Sequence, residues 1–310
     1  MAVALYVLAF LILAFFAISY VIFCMTYKPA KDRDSDHTRY PSAPQYVPFK
    51  EPTAFLIKEL MEIPFEEVWI ESFDGLKLYG RYYHVKDGAP LQIEFHGYHS
   101  HAYKDFCGGN KIAREAGYNT LLVDQRNHGK SGGKAITFGI NERQDVKAWA
   151  DWAAKRFGES QKIMIVGVSM GAASVLMASE LDLPKNVVGV IADCPFSSPV
   201  EIICKVARDR KILVWMAYPF IFSGAAIFGH FSIGKATPIE AVKNTKLPIL
   251  LIHGMDDRFV PYEMSCRMKA ANEECITFVS VPGAGHGLSY MVDNAKYVSA
   301  VNAFCNKVFG

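Results

Sequence analysis

The segment Lys162–Gly171, KIMIVGVSMG, constrains the fold more than any other stretch of the chain. An apolar run rich in β-branched residues predicts a strand, Gly-x-Ser-x-Gly predicts a sharp turn, and the residues from Ala172 to Glu180 predict a helix. Glycines at both ends of such a turn let strand and helix approach closely. The turn would expose the Oγ of Ser169 and direct the backbone N–H of Met170 to where an oxyanion forms.

Around this turn, apolar strands alternate with amphipathic helices, which predicts an α/β fold with a mostly parallel sheet covered by helices on both faces. An opening hairpin, from Glu67 to Val85, would add an antiparallel edge. The eight predicted strands are Glu67–Ser72, Leu76–Val85, Leu91–Phe95, Thr120–Asp124, Ile163–Val166, Val187–Ala192, Ile249–Ile252 and Ile276–Val281. Predicted helices include Thr53–Met61, His101–Gly117, Asn141–Phe157 and Tyr290–Phe309.

Polar side chains follow the ends of these strands. They are His96, Asp124, Ser169, Asp193, Asp257 and His286. Because parallel strands present their carboxyl ends at one edge of the sheet, where ligands bind, these residues are expected to converge on a single site.

The N-terminal residues 1–27 predict a transmembrane anchor. Ala2–Tyr27 carries no charged side chain, and as a helix it would be about 39 Å long, enough to cross a hydrocarbon core of about 30 Å. A cleaved signal peptide is disfavoured because there is no basic segment before the apolar run and no A-x-A site after it. Lys28, Lys31, Arg33 and Arg39 follow the run, so the positive-inside rule predicts a single-pass protein with a cytoplasmic catalytic domain.

Residues 28–52 contain five prolines and many polar side chains, which predicts a linker without a core of its own. Residues 53–310 would form the catalytic domain. Within it, residues 199–237 interrupt the alternation with an aromatic, apolar stretch, which predicts a small cap that forms an apolar wall of the site. A second membrane span or re-entrant segment is the alternative, but Pro219 and Gly224 interrupt the stretch and its length is marginal. A cap that also touches the bilayer surface is intermediate between the two.

Composition excludes several classes of protein. The net charge of +2 and the absence of a basic stripe argue against a nucleic-acid partner. The seven cysteines form no C-x-x-C pair and no zinc-like cluster, so buried free thiols in a reducing compartment are expected.

Ser169, Asp257 and His286 occur in the order expected of a serine nucleophile, its acid and its base. His286 lies in a glycine-flanked loop after the last strand, from which the imidazole can reach across to the serine. Asp257 lies just past a strand end, about 90 residues after Ser169 and about 30 before His286. Asp256 and Asp193 are alternative acids.

Four motifs carry a resemblance to a known family: F-H-G-Y from Phe95, D-Q-R-N-H-G-K-S from Asp124, G-V-S-M-G from Gly167 and H-G-x-x-D-x-x-V-P from His253. With them the chain resembles α/β-hydrolase fold serine hydrolases, similar to bacterial serine-aminopeptidase-like and lysophospholipase-like enzymes. The resemblance covers about residues 65–309.

The resemblance implies the roles of further residues. Its last motif assigns the acid to Asp257, and its first pairs the N–H of Tyr98 with that of Met170 in an oxyanion hole. It makes Asp193 a structural neighbour. Asp124, Arg126 and His128 are expected to hold the loop beneath the site, whereas His96, His99, His101 and His253 are expected in turns or at the rim.

The sequence therefore predicts a membrane-anchored serine hydrolase that cleaves carboxylic esters of medium or long acyl chains, or lipid-like esters, through an acyl-enzyme. The expected partners are this small ester substrate and the membrane, and neither a metal ion nor an organic cofactor is implied. A serine peptidase or amidase of the aminopeptidase-like group is the alternative. A non-catalytic scaffold is the third possibility, which all three triad residue types, present in order, disfavour.

Overall fold

The computed structural model describes residues 1–28 and 43–310, and its centre is one eight-stranded sheet. The strands lie in the spatial order β1-β2-β4-β3-β5-β6-β7-β8. They are β1 Glu66–Glu71, β2 Lys77–Tyr83, β3 Leu91–Phe95, β4 Asn119–Asp124, β5 Ile163–Val168, β6 Val187–Asp193, β7 Ile249–Gly254 and β8 Ile276–Val281. The pairs β1–β2 and β2–β4 are antiparallel and the other pairs are parallel, which confirms the predicted sheet with its antiparallel edge.

Helices cover the sheet, and helices also form the cap and the N-terminal segment. They are α1 Ala2–Tyr27, a 3₁₀ helix Pro44–Phe49, α2 Lys50–Met61, α3 Ala102–Glu115, α4 Glu142–Phe157, α5 Met170–Ala178, α6 Pro199–Asp209, α7 Val214–Ser223, a π-helical turn Gly224–Phe228, α8 Pro238–Asn244, α9 Tyr262–Ala271, α10 Ser289–Val292 and α11 Asn294–Phe309.

The core has two layers because alternate residues of each strand point to opposite faces of the sheet. In β5, Ile163 and Ile165 pack on one side with α4, α5, α8 and α9. Met164 and Val166 pack on the other side with α2, α3 and α11. Every strand from β3 to β7 is buried along its length apart from an occasional half-buried residue, as expected for a sheet covered on both faces.

Helix α1 matches the predicted boundaries of the anchor. Among the described residues it is the one helix long and apolar enough to cross a membrane. The predicted cap is helical: α6, α7 and the π-helical turn follow β6, and α7 is too short to span a bilayer. These elements form a third apolar cluster together with the end of α1.

Several local predictions differ from the structure. The closing helix is divided at Asp293, whose carboxylate caps α11 by accepting from the N–H of Lys296, so α10 and α11 are separate. Helices α8 and α9 were not predicted. Most of the predicted linker, residues 29–42, lies outside the described residues, and so do Lys31, Arg33 and Arg39 of the orientation argument. The end of that linker, from Pro44, is helical.

Candidate active site

Ser169 lies between β5 and α5 with φ 55° and ψ −113°, a conformation that L-residues rarely adopt. The surroundings impose this strain. A Cβ on Gly171 would lie 1.8 Å from the carbonyl oxygen of Phe95, and a Cβ on Gly167 would lie 2.3 Å from the carbonyl carbon of Gly171. The two glycines therefore allow β3, β5 and α5 to meet where the serine is presented, as the sequence predicted.

A continuous chain of hydrogen bonds joins the three predicted triad residues. The distance from Ser169 Oγ to His286 Nε2 is 2.9 Å, and the distance from His286 Nδ1 to Asp257 Oδ2 is 2.6 Å. A carboxylate can only accept, so Nδ1 carries the proton and Nε2 is left to accept from the serine hydroxyl. This is the arrangement in which an imidazole can remove the serine proton.

Asp257 is fully buried and more strongly held than the sequence suggested. Its Oδ1 accepts from the N–H groups of Phe259 and Val260, both at 2.8 Å. His253 Nε2 lies 3.2 Å from its Oδ2. Burial alone would raise the pKa of Asp257, but the charge of His286 and the bonds from both histidines hold that pKa well below its usual range.

The other two candidate acids are placed differently. Asp256 is exposed. Asp193 is buried at the end of β6, where its carboxylate accepts a hydrogen bond from the hydroxyl of Tyr297 and lies 3.5 Å from Ser289 Oγ. Burial raises the pKa of Asp193 to about 6, against the opposing charge of His253. Of the three carboxylates, Asp257 is the one hydrogen-bonded to His286.

The loop that carries His286 is braced from outside. The hydroxyl of Tyr46, in the 3₁₀ helix, donates to the carbonyl of His286 at 3.0 Å, and the ring of Phe259 lies 5.0 Å from the imidazole. The sequence offered no signal for Tyr46, because it falls in a segment whose composition is typical of a linker.

The two predicted oxyanion donors lie on either side of the serine. Met170 is the first residue of α5, and Tyr98 follows β3 in the turn closed by Asp105, which accepts from the N–H of Gly97 at 2.7 Å. Within residues 1–28 and 43–310, the backbone N–H groups of Tyr98 and Met170 donate to no protein acceptor. A turn and a helix N-terminus with unused donors can stabilise an anion.

A buried ionic network supports the loop after β4. Arg126 pairs with Asp145 at 2.6 Å and with Asp74 at 2.9 Å, and Asp124 pairs with Arg81 at 2.8 Å. These contacts agree with the supporting role expected of Asp124 and Arg126.

His128 is buried in the loop that it was expected to support, and His99 lies exposed in the turn where it was expected. The imidazole of His128 lies 3.0 Å from the carbonyl of Arg126 and accepts from the N–H of His99. His99 stacks on Tyr98 beside the oxyanion turn.

His96 and His253 were expected in turns or at the rim. His96 does lie in the loop directly after β3, but His253 lies within β7, so for His253 the prediction is wrong. Both are buried. His96 Nε2 accepts from the N–H of Gln125 at 3.1 Å, and burial lowers the pKa of His96. His253 Nδ1 lies 2.6 Å from Ser265 Oγ, and its Nε2–H faces both the carbonyl of Val260 at 3.1 Å and Oδ2 of Asp257 at 3.2 Å. The motif that contains His253 marked the acid and gave no sign that the histidine itself holds that acid.

Two cavities meet at Ser169. The larger, about 470 Å³, extends below α3 and is lined in part by Glu94, Asp105, Phe106 and Tyr290. The smaller, about 210 Å³, lies between α1 and the cap and is lined mostly by apolar side chains, with Thr26 and Arg210 among the polar ones.

One group near the triad has metal-ligand chemistry. The thiol of Cys194 lies with the ligand atoms of Asp257 and His286 within 4.8 Å of one another. Burial raises the pKa of Cys194 well above its usual value, so the neutral thiol, a poor ligand, is favoured. The carboxylate and imidazole are already bonded to each other. All seven cysteines are free thiols, but only four are buried as predicted, since Cys24, Cys266 and Cys275 are half-buried.

Comparison with known proteins gives the family context. The model of the prolyl oligopeptidase family, Peptidase_S9, matches residues 111–310. The uncharacterized protein YqkD of Bacillus subtilis is 24% identical over 195 residues, which are 63% of this chain and 64% of YqkD, so the chain spans slightly less than two thirds of that relative.

Solved structures show the same fold. The esterase Pf2001 of Pyrococcus furiosus superposes with a TM-score of 0.66 at 25% identity, over 82% of this chain and 94% of the esterase. Est1E of Butyrivibrio proteoclasticus, solved with ferulic acid, has a TM-score of 0.62 at 24% identity, over 78% of this chain and 99% of Est1E, and at that identity it supports the fold alone.

Proposed function

This chain belongs to the prolyl oligopeptidase family, and we propose that it is a membrane-anchored serine hydrolase that cleaves carboxylic esters of medium or long acyl chains, including lipid-like esters. The observation that carries the proposal is the hydrogen-bonded chain from Ser169 through His286 to Asp257 at the junction of two cavities. The similarity to the esterase Pf2001 supports the ester class.

In the proposed mechanism, Ser169 Oγ attacks the ester carbonyl while His286 Nε2 accepts its proton. Asp257 keeps the imidazole in the required tautomer and stabilises the imidazolium. The N–H groups of Tyr98 and Met170 bind the oxyanion, and one such donor contributes roughly 3–4 kcal/mol to transition-state stabilisation. The imidazolium then protonates the leaving alcohol, and water hydrolyses the acyl-enzyme.

The two cavities suggest where the acyl chain and the alcohol portion of the substrate bind. The smaller cavity offers side chains such as Ile202, Val206 and Ile221, which suit an acyl chain. The larger cavity offers amides and hydroxyls beside its apolar walls, which suit the alcohol portion of an ester. An ester with one long acyl chain and a polar leaving group fits both.

The anchor supports a location at the cell membrane. The length and apolar composition of α1 match a span, and the basic residues that follow it in the sequence favour a cytoplasmic catalytic domain. In right-side-out vesicles, external protease is expected to leave the domain intact, and in inverted vesicles to digest it. Digestion in right-side-out vesicles would reverse the proposed orientation.

The test of the proposed activity combines a fluorophosphonate probe with p-nitrophenyl esters from acetate to palmitate. We expect the wild-type protein to be labelled and to hydrolyse esters. Ser169→Ala should abolish labelling and lower kcat by roughly 10⁴–10⁶-fold. Ser160→Ala, an exposed serine just before β5 and at the opposite end of that strand from Ser169, is the matched control and should behave as wild type. A wild-type protein that is neither labelled nor active on any ester would refute the proposal.

A serine peptidase is the second candidate, favoured by the description of the matching family. A peptide amine would need an available carboxylate at the site. Asp105 is already bonded to the N–H of Gly97 and to the hydroxyl of Ser100, and Glu94 is fully buried. Aminoacyl p-nitroanilides measured beside the esters distinguish the two, since higher kcat/KM for the anilides would favour the peptidase.

A further inference from the structure

The end of the anchor helix is built into the catalytic domain. Phe23 and Tyr27 of α1 are buried in the apolar cluster of the cap. The hydroxyl of Tyr27 donates to the carbonyl of Ile221 in α7 at 3.2 Å, and the carbonyl of Tyr27 accepts from the N–H of Ile136 at 2.7 Å. Tyr27 thus donates one hydrogen bond to the domain and accepts another from it. Together with the aromatic contacts, these bonds fix this part of α1 to the domain.

The contact between α1 and the cap extends further up the helix. A Cβ on Gly224, in the π-helical turn, would lie 2.9 Å from the carbonyl oxygen of Ser19, so that glycine lets the two backbones meet. Near the middle of α1, the ring of Phe15 lies 5.2 Å from that of Phe220. About half of the helix therefore packs on the cap.

The same helix forms a wall of the smaller cavity. Ile22, Met25 and Thr26 line this cavity on one side, and Ser169 lies at its inner end. The carbonyl of Thr26 also accepts from the hydroxyl of Tyr98 at 2.9 Å, so the anchor contacts the residue of the oxyanion turn. The anchor thus bounds the space in which the substrate would lie.

Helix length sets how the domain meets the bilayer. The part of α1 before the first cap contact, from Ala2 to Ala14, rises roughly 20 Å, whereas the hydrocarbon core is about 30 Å thick. If the span begins at Ala2 and crosses the core, the cap enters the core by about 10 Å, a depth typical of interfacial apolar surfaces.

The surface of the cap suits that depth. Between α6 and the end of the π-helical turn, several large apolar side chains are exposed: Ile212, Leu213, Trp215, Met216, Tyr218 and Ile227. Trp215 is 74% exposed. An apolar patch with tryptophan and tyrosine beside a spanning helix is typical of a surface in contact with lipid.

The smaller cavity opens on the side of the molecule that carries this exposed apolar patch. Met25 of α1 and Ile212 of the cap both line it and are also exposed, by 59% and 43%. The opening therefore lies between the anchor and the cap, next to the exposed patch, where a chain leaving the bilayer would enter.

We infer that α1 is a specificity-determining wall of the acyl site, and that the substrate is an ester lipid resident in the bilayer whose acyl chain enters laterally between α1 and the cap. The inference rests on the proposed esterase function and deepens it. The bilayer would supply the acyl chain already desolvated, and the residues at 22 and 25 would limit how much of the chain the site accepts.

The test uses the full chain in detergent micelles and measures kcat/KM for p-nitrophenyl acetate, octanoate and palmitate. Ile22→Trp and Met25→Trp place a bulky side chain in the cavity, and each should lower the palmitate-to-acetate ratio of kcat/KM at least 10-fold. Val21→Trp, on an exposed part of α1 that does not line the cavity, is the matched control and should keep the wild-type ratio.

The outcomes separate the two proposals. If the wild type hydrolyses esters and both cavity variants, labelled normally by fluorophosphonate, keep the wild-type ratio, the role of α1 is refuted while the esterase function stands. If the wild type hydrolyses no ester, the proposed function itself fails. Measuring two cavity variants guards against one of them failing to fold.

The depth to which the cap enters the bilayer is tested separately, with lipids that are brominated in the middle of their acyl chains. In vesicles of such lipids, wild-type tryptophan fluorescence should be quenched at least twofold more than that of Trp215→Phe. Equal quenching of the two proteins would show that the cap does not enter the hydrocarbon and would overturn lateral entry.

Discussion

Two regions of this molecule meet at Ser169 and are stabilised by different interactions. The sheet side consists of the eight strands and the loops at their ends, and the cap side consists of α6, α7, the π-helical turn and the end of α1. The sheet side holds charged groups in the interior: Arg126 between two aspartates, Arg81 on Asp124, and Glu94 buried below α3. The cap side, shared with α1, is held by aromatic and aliphatic contacts, among them Tyr27 with Phe138 and Phe231.

This difference suggests that the two sides have different roles. Ion pairs and strand ends impose one geometry, because a misplaced buried charge is costly, and all three proposed catalytic side chains are held by these elements. Apolar contacts without such directional constraints tolerate change in shape and volume, which suits the side that we propose contacts lipid and substrate. Substitutions on the two sides should therefore differ in kind.

The largest expected effect is on the sheet side, at the triad acid. Asp257→Asn keeps the shape of the side chain but removes the acceptor that selects the tautomer of His286, so kcat should fall by about 10⁴-fold. The measurement is steady-state hydrolysis of a p-nitrophenyl ester by protein of wild-type thermal stability.

Asp193→Asn and Asp256→Asn are the matched controls for this prediction. Asp193 contacts Tyr297 and lies near Ser289, and Asp256 is exposed, so each change should lower kcat less than 10-fold. A loss at Asp193 equal to that at Asp257 would contradict the assignment of the acid from geometry.

Glycine substitutions compare backbone tolerance on the two sides. A methyl group on Gly171 would meet the backbone of Phe95 at 1.8 Å, so Gly171→Ala should destabilise the fold by at least about 3 kcal/mol and greatly lower the yield of folded protein. A methyl group added to Gly234, in the turn before α8, would have no atom within 4 Å, so Gly234→Ala should change stability by less than about 0.5 kcal/mol. Thermal melts of both variants check this, and equal losses would remove the contrast.

The sheet side was largely predictable from sequence for a physical reason. Buried parallel strands must be continuously apolar, and the turn at Ser169 requires glycine at two fixed positions, so local patterns there have few alternative explanations. The positions of Ser169 and His286 follow from the same logic. Between Asp257 and Asp193, chain order alone left the choice open, and only the three-dimensional contact with His286 distinguishes them.

The cap side was less predictable. Its apolar segment has no clean period, so the sequence indicated a cap without showing that its helices pack against the anchor. Long-range pairs such as Tyr27 with Ile221 or Tyr98 with Thr26 leave no local signature. The bracing of His286 by Tyr46 was hidden for the same reason, because a proline-containing segment resembles a linker until its contacts are known.

The buried side chain of Glu94 makes the stability of the sheet side depend on pH. Burial raises its pKa to about 8, against the hydrogen bond from Asn110. Because this folded pKa lies above the ordinary carboxyl value, folding favours the protonated form, and stability is lost as the pH rises from about 4.5 through about 8. Glu94→Gln should therefore stabilise the protein at pH 8.5 by about 1–3 kcal/mol relative to wild type and much less at pH 5. Thermal melts at both pH values test the sign, and a stability difference that does not change with pH would contradict it.

The smallest expected effect is on the cap side, where Tyr27→Phe removes one hydroxyl and keeps the ring. Its hydrogen bond to the carbonyl of Ile221 joins α1 to α7, so its loss should cost about 1 kcal/mol, or a decrease in Tm of about 2–4 °C. Tyr6→Phe, at a tyrosine of the same helix that is 76% exposed, is the control and should leave Tm unchanged within about 1 °C. Because Tyr27 lies outside the triad and the cavity lining, a loss of stability without a comparable loss of ester hydrolysis would show that the anchor–cap contact can be weakened while the sheet side keeps its geometry. A large fall in kcat at unchanged Tm would instead mean that the two sides are not separable.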